Sequence, residues 1–408
     1  MKSGHSQQKK NKVTEKKILP VQNSKVIFPL LGILLITFFV YARSLKNGFT
    51  NYDDDVLILN NSLVHSLSFS NLKLIFISFA NGMYNPLVTL SWALEYVLIG
   101  NKAMHFHFIN LTFHLLNTWL VYRFILLLSK KINIAVIVAL FFAIHPMISE
   151  SVLWLSERKD LLCVAFILGG LIHYLKYLNN NFRLKYLILT LIFFLLALFS
   201  KPLAIVFPLL LLVIDYYTGR RIDKKVIMEK FPFFVLSLSF GLIAIIAARS
   251  VEGINTLNDY SVADRILFVV YAIGFYIFKM FIPVHFSAKH LYPLKDGVFL
   301  PVEYYISIIA VVALIFFIFK LKKQRREILS GMFFYLICIS IVLPIVPVGD
   351  SVVSERYSYL SYIGLFLIIG NVYEQYKDKL INRSIKLKTF LNLVIITFVL
   401  ISLALRLS

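Results

Sequence analysis

Three consecutive carboxylates, Asp53, Asp54 and Asp55, stand in NGFTNYDDDVLILNN (47–61), a few residues beyond the apolar segment VIFPLLGILLITFFVYA (26–42). Adjacent carboxylates repel, so at least one is expected to hold its proton more tightly unless a cation or metal answers it. A carboxylate raised in this way is suited to taking a proton from a hydroxyl nucleophile. The same oxygens would suit a divalent ion, and Asp55, close to a helix start, would suit a cap. The three residues alone leave these chemistries open.

Other polar clusters interrupt the apolar chain. HFHFINLTFHLLN (105–117) carries His107, Asn110, His114 and Asn117. Steps of three, four and three put them on one helix face. Polar side chains in a crossing helix face the bundle interior, where interhelical hydrogen bonds are their ordinary use. No third ligand at a familiar zinc spacing accompanies the histidines. HPMISESVLWLSERKD (145–160) joins a helix end at His145-Pro146 to Glu150, Glu157, Arg158, Lys159 and Asp160. Glu157, Arg158 and Asp160 suit one ion-pair network at a helix mouth, and the same segment could place Arg158 or Lys159 on a phosphate through charge-assisted hydrogen bonds. SKP (200–202) adds Lys201, HFSAKHLYP (285–293) adds Lys289, and SERYSY (354–359) adds Glu355 and Arg356.

These groups must be positioned by a membrane bundle. The chain has 408 residues, of which 59% are hydrophobic, above the roughly half expected of a soluble domain. Apolar runs of about 17–25 residues recur along it, long enough to span the hydrocarbon. They are continuous and do not alternate with period two, which excludes an outer-membrane barrel. The expected fold is an all-α polytopic bundle. The net charge of +21 sits mostly in short loops, as the positive-inside rule requires, so nucleic acid is excluded as a partner. Cys163 and Cys338 lie in apolar runs and give no disulfide framework.

Residues 1–25 read as a disordered, basic, cytoplasmic tail, and the first apolar segment as a retained helix. Residues 26–406 read as one transmembrane domain with outer loops 43–102 and 249–301. Crossings are expected near 26–42, 103–128, 132–146, 161–178, 184–199, 203–217, 231–248, 302–320, 328–346, 357–373 and 389–405. Segment 263–284 is placed along the outer interface or as a re-entrant helix, because a crossing there would move KLKKQRR (320–326) to the wrong side. That gives eleven crossings, or twelve if 263–284 spans. On this topology the polar clusters share the outer face. Cations kept there against the positive-inside bias imply a fixed anion nearby, for which a lipid phosphate is the natural candidate.

The order of the motifs resembles a known family. NYDDDVLILNN is followed by NPLVTLSWALEYVLIGNKAMHFHFINLTFHLLN (85–117), FFAIHPMISESVLWLSERKDLL (141–162), SKPLAIVFPLLLLVIDYY (200–217), YAIGFYIFKMFIPVHFSAKHLYP (271–293) and SERYSYLSYIGLFL (354–367). Over roughly residues 30–370 this resembles the membrane part of the tetratricopeptide-linked transmembrane O-mannosyltransferases and their bacterial relatives. More distantly it resembles the protein O-mannosyltransferases and the lipid A aminoarabinose transferases, all of the GT-C class. The chain departs from the family in showing no tetratricopeptide repeat and in having Ser361 where the relatives carry proline.

The resemblance implies transfer of mannose or another hexose from a polyprenyl-phosphate donor to a hydroxyl on protein, glycan or lipid, at an active site on the outer face. Asp53 or Asp54 becomes the general base. Arg158, Lys159, Lys201 and Arg356 become donor-phosphate ligands, the latter role inferred from charge and side. Tyr52, Asp55, His107, His114, His145, Glu150, Glu157, Asp160, Lys289 and Glu355 are supporting residues. A monophosphate donor does not demand a metal, so no cofactor is expected, although Asp53 and Asp54 could hold a divalent ion. The expected partners are the lipid-linked sugar, an acceptor protein or glycan, and membrane lipids. The expected location is a bacterial inner membrane, with the N-terminus in the cytoplasm. The competing expectation is a flippase or exporter of lipid-linked sugars, which would show internal repeats and charges near the bilayer midplane.

Overall fold

The apolar runs fold as helices, several opened by a side-chain cap, as Ser68 does for Phe69–Ile77 and Asp223 for Lys224–Arg249. A computed structural model describes residues 24–251, 260–287, 289–295, 299–320, 325–345 and 351–383. The tail 1–25, except its last two residues, and the expected crossing 389–405 lie outside the described residues. The helices in chain order are α1 (Ser24–Tyr41), α2 (Phe69–Ile77), α3 (Pro86–Ile99), α4 (Ala103–Ser129), α5 (Ile132–Ile144), α6 (Ser149–Leu153) and α7 (Arg158–Asn179). They continue as α8 (Leu184–Leu198), α9 (Phe207–Thr218), α10 (Lys224–Arg249), α11 (Val262–Phe281), α12 (Val302–Lys320), α13 (Arg325–Ile339) and α14 (Ser358–Arg383).

Four stretches are long and apolar enough to cross a membrane: Ser24–Lys46, Ala103–Ser129, Leu155–Asn179 and Lys224–Arg249. A fifth is Ile132–Ile144 with Pro146–Leu153, bent by 60° at the break. His145-Pro146 causes the bend, since proline cannot continue the hydrogen-bond ladder and constrains the residue before it. The segments expected at 184–199 and 203–217 form shorter apolar helices. Fewer described helices meet the length-and-composition test than the eleven expected crossings; the expected crossing 389–405 lies outside the described residues, and the chain breaks between α8 and α9. Most of α10 faces outward, exposing Phe231, Leu238 and Ile246, as do Phe28 and Phe39 of α1. Without an apolar solvent such faces would be untenable. The chain is an integral membrane protein.

Helix α7 is the central post, buried on almost every side and packed against α4 and α8. Segment 262–281 is one unbroken helix, α11, opened by a Ser261–Asp264 capping box. Its buried face carries Phe268, Ala272, Phe275, Tyr276 and Lys279. Helices α13 and α14 approach closely where Gly331 faces Gly364: a Cβ on Gly364 would run into the Gly331 carbonyl oxygen. Small residues at such a crossing let two membrane helices touch backbone to backbone. Two short strands, β1 (His290–Leu291) and β2 (Ser351–Val353), pair antiparallel. They bring the 285–293 loop beside SERYSY.

Candidate active site

The first loop, the turn before α7, the α8–α9 break and the turn before α14 converge on one spot. There Glu157 is the hub. Its Oε1 lies 3.1 Å from Lys159 Nζ and 3.3 Å from Arg356 Nε, and its Oε2 lies 3.5 Å from Lys201 Nζ. Lys201 also donates to Asp160 Oδ1 at 2.6 Å. Arg356 donates through its backbone N–H to Glu150 Oε2 at 2.7 Å and through Nη1 to Oε1 at 2.8 Å. Three carboxylates, Glu150, Glu157 and Asp160, therefore balance three cations, Lys159, Lys201 and Arg356. The Asp160 and Glu157 carboxylates outweigh burial and hold Lys201 above the ordinary lysine value. Glu157, followed by Tyr357 and Glu150, does the same for Arg356. Both stay cationic in any physiological range.

The aspartate run divides by orientation. Asp54 is fully buried and its carboxylate accepts four hydrogen bonds. Oδ2 accepts from Thr50 N at 3.0 Å and Thr50 Oγ1 at 2.9 Å. Oδ1 accepts from Ser156 N at 2.9 Å and Ser156 Oγ at 2.5 Å. It staples the first loop to the turn before α7. Asp55 accepts from the adjacent Val56 N–H at 2.9 Å. Asp53 is half-buried, and among the described residues its carboxylate makes no hydrogen bond or ion pair. Burial raises it above the ordinary carboxyl value; Lys159 and Arg356 pull it down, while Glu157 and Asp54 push it up. Of the two candidate bases, Asp54 is fully buried and Asp53 half-buried.

An aromatic pair borders Asp53. The Tyr52 and Trp154 rings lie 5.4 Å apart. Lys289 sits 5.1 Å from the Tyr52 ring, and Arg356 and Lys159 sit 5.3 and 5.8 Å from Trp154. The indole N–H of Trp154 is buried without an acceptor among the described residues. Behind Arg356, Glu355 accepts from Ser287 N at 3.3 Å and pairs with His290 at 2.9 Å, closing the 285–293 loop over the site.

One expected phosphate ligand is displaced. Arg158 is fully buried. It donates Nε to Asn110 Oδ1 at 2.8 Å, Nη2 to the Phe106 carbonyl at 3.0 Å, and Nη1 to Glu95. All its donors face into the bundle, because it is the first residue of α7 and points to the α3–α4 side while Lys159 points to the mouth. The expected supporting histidines make hydrogen bonds within the bundle. His107 meets the Gly48 carbonyl at 3.3 Å; His114 meets Tyr359 Oη at 2.9 Å and the Ala143 carbonyl at 3.0 Å; His145 meets the Met280 carbonyl at 3.0 Å. Sequence reasoning missed Glu95, Ser156, Trp154 and His290. Glu95 carried a signal, as a lone carboxylate in an apolar helix requires a partner. Among the described residues no three His, Cys, Asp or Glu side chains come together in an arrangement that could hold a metal.

The all-helical bundle with its polar mouth is the fold of the GT-C class. The chain aligns over 93% of its length with the archaeal oligosaccharyltransferase AglB of Archaeoglobus fulgidus, solved with an inhibitory peptide and a dolichol-phosphate (TM-score 0.54, 13% identity, 56% of that chain). A second structure of an oligosaccharyltransferase from that organism, tethered to an acceptor peptide, aligns with a TM-score of 0.52 at 11% identity, over 93% of this chain and 54% of that one. In sequence the chain resembles the protein O-mannosyl-transferase Tmtc1 of Drosophila melanogaster, 31% identical over 208 residues, which are 48% of this chain and 24% of that protein. It also resembles human TMTC3, 31% identical over 163 residues, 37% of this chain and 17% of that protein. The matched region thus spans a quarter or less of those curated relatives. No family model matches.

Proposed function

We propose that this chain is a glycosyltransferase that moves a sugar from a polyprenyl-phosphate donor to an acceptor hydroxyl at the extracytoplasmic face. The observation that carries the reading is Asp53: a half-buried carboxylate with a raised proton affinity, free of partners among the described residues, beside a charge-balanced cluster. In the reaction the anomeric carbon–phosphate oxygen bond breaks and a bond from the acceptor oxygen to that carbon forms. The acceptor proton passes to Asp53. A positioned base of this kind contributes roughly 10²–10⁴ in rate.

Lys159 and Arg356 take the leaving phosphate. In the resting site both pair with Glu157, and Arg356 also pairs with Glu150. A donor phosphodiester carries one negative charge and its departing phosphate monoester approaches two. Attraction to these cations therefore grows as the bond breaks, which lowers the barrier rather than merely tightening binding. Lys201 holds Glu157 and Asp160 in place. Trp154 and Tyr52 supply ring faces for the sugar. A lipid-borne donor and a peptide acceptor accord with the molecules bound in the archaeal structures of the same fold.

The test is transfer by purified protein in lipid, offered labelled polyprenyl phosphate-sugars and lysate acceptors. Label on acceptor supports the reading. Donor that crosses the bilayer with no transfer overturns it in favour of the flippase.

A further inference from the structure

We propose that the face opposite Asp53 carries a second site, an amphiphilic pocket that takes the phosphate head and upper acyl chain of an anionic phospholipid. Helix α7 links the two faces. Its first residue, Arg158, adjoins the Asp53 site, and its last, Asn179, lines a pocket of about 440 Å³. Twenty-two helical residues separate those ends, about 33 Å at 1.5 Å per residue, the thickness of the hydrocarbon. The pocket therefore lies at the opposite bilayer surface.

Its floor is apolar, formed by Leu127, Leu175, Leu178 and Phe182, while Lys130 and Arg220 stand at its rim. That division of chemistry matches an amphiphile and not a free soluble anion. Arg220 is held from behind. It reaches Glu229 at 2.8 Å, Asp215 at 3.6 Å and Tyr174 Oη at 3.2 Å, and lies 4.8 Å from the Phe182 ring. Lys230 closes the same network on Asp215 at 2.6 Å. Two cations balance two carboxylates there. The surplus positive charge belongs to Lys130 and to Arg326, whose guanidinium lies against Gly219 on the pocket wall. Neither forms an ion pair among the described residues.

A second observation points to the same place. Among the described residues five non-glycine positions adopt positive φ; two of them, Lys130 (57°) and Phe182 (55°), line this pocket, and Asn181 (51°) adjoins Phe182 in the chain. For a residue as bulky as Phe the left-handed region is strained. Such strain persists where surroundings impose it, and it gathers at binding sites. Here it lays the Phe182 ring against the Arg220 guanidinium.

Full-length protein in detergent is titrated with phosphatidylglycerol, phosphatidylcholine and inorganic phosphate, with binding read by native mass spectrometry. Phosphatidylglycerol binds more tightly than phosphatidylcholine. The double variant Lys130→Gln/Arg326→Gln, both changes being at exposed side chains, weakens phosphatidylglycerol about thirtyfold, from two charges at the surface value. Lys130→Arg restores Lys130's share in the Arg326→Gln background. Equal binding of the two lipids, or an unchanged affinity in the double variant, overturns the proposal. Inorganic phosphate that competes at the affinity of the lipid overturns its lipid half.

Discussion

Asp54→Asn and Asp53→Asn look equivalent in the sequence and should behave oppositely. The Asp54 carboxylate accepts two bonds from Thr50 and two from Ser156. Asparagine keeps one carbonyl oxygen, so one pair survives. On the other side a backbone N–H would face an amide NH₂. Losing a hydrogen bond to a charged group costs about 1.5–3 kcal/mol, and the stranded N–H adds part of its desolvation. The hydroxyl on that side can turn and accept. The net expectation is a loss of about 3 kcal/mol. For Asp53 the sign reverses. Its folded-state proton affinity is raised, so the folded chain binds more protons than the unfolded chain and stability falls as pH rises through that range. The penalty stands in full at neutral pH. Asp53 is half-exposed, so screening keeps it below about 1 kcal/mol. Asparagine at 53 therefore leaves stability unchanged or slightly higher. Unfolding in mixed micelles, followed by the fluorescence of the three tryptophans, measures both. An Asp54→Asn protein as stable as its parent, or an Asp53→Asn protein that is the more damaged, refutes the division of roles.

Three further expectations follow from the same geometry. Arg158→Met leaves Glu95 buried without its cation and should cost about 3–5 kcal/mol, while Arg158→Met with Glu95→Leu recovers most of it; unfolding midpoints of the single and double variants decide this. The transfer rate should rise with pH through a midpoint above the ordinary aspartate value of 3.8, because Asp53 must lose its proton to act as base; a pH–rate profile flat across the acid range contradicts it. Gly364→Ala drives a Cβ against the Gly331 carbonyl and the Tyr335 N–H, both backbone, so α13 and α14 must separate; overpacking of this kind costs about 1–3 kcal/mol, visible as a lower unfolding midpoint.

The helices were legible because apolar length is a direct physical signal, and the His145-Pro146 break was legible because proline has a backbone consequence. Legible were an ion-pair network of Glu157, Arg158 and Asp160 and a set of cations on one face with Lys159, Lys201 and Arg356 among them; that Glu157 itself answers those three cations was not legible. Nor was it legible which cation faces the mouth. Arg158 and Lys159 are neighbours in sequence, but at the start of a helix adjacent side chains diverge by about 100°, and only the fold shows that Glu95, 63 residues earlier, claims Arg158. The same limit hid the difference between Asp53 and Asp54. In a turn the direction of each side chain depends on contacts such as Ser156, about 100 residues away, and no local pattern encodes them. The break between α8 and α9 at Phe199–Lys201 left two helices shorter than a full crossing.

The most direct test of the account is the single-turnover rate of sugar transfer from a labelled polyprenyl phosphate donor, with Asp53→Asn compared with the parent at neutral pH. The account predicts a fall of at least a hundredfold with folding intact and donor binding retained. A rate within a few fold of the parent would contradict the assignment of Asp53 as the base.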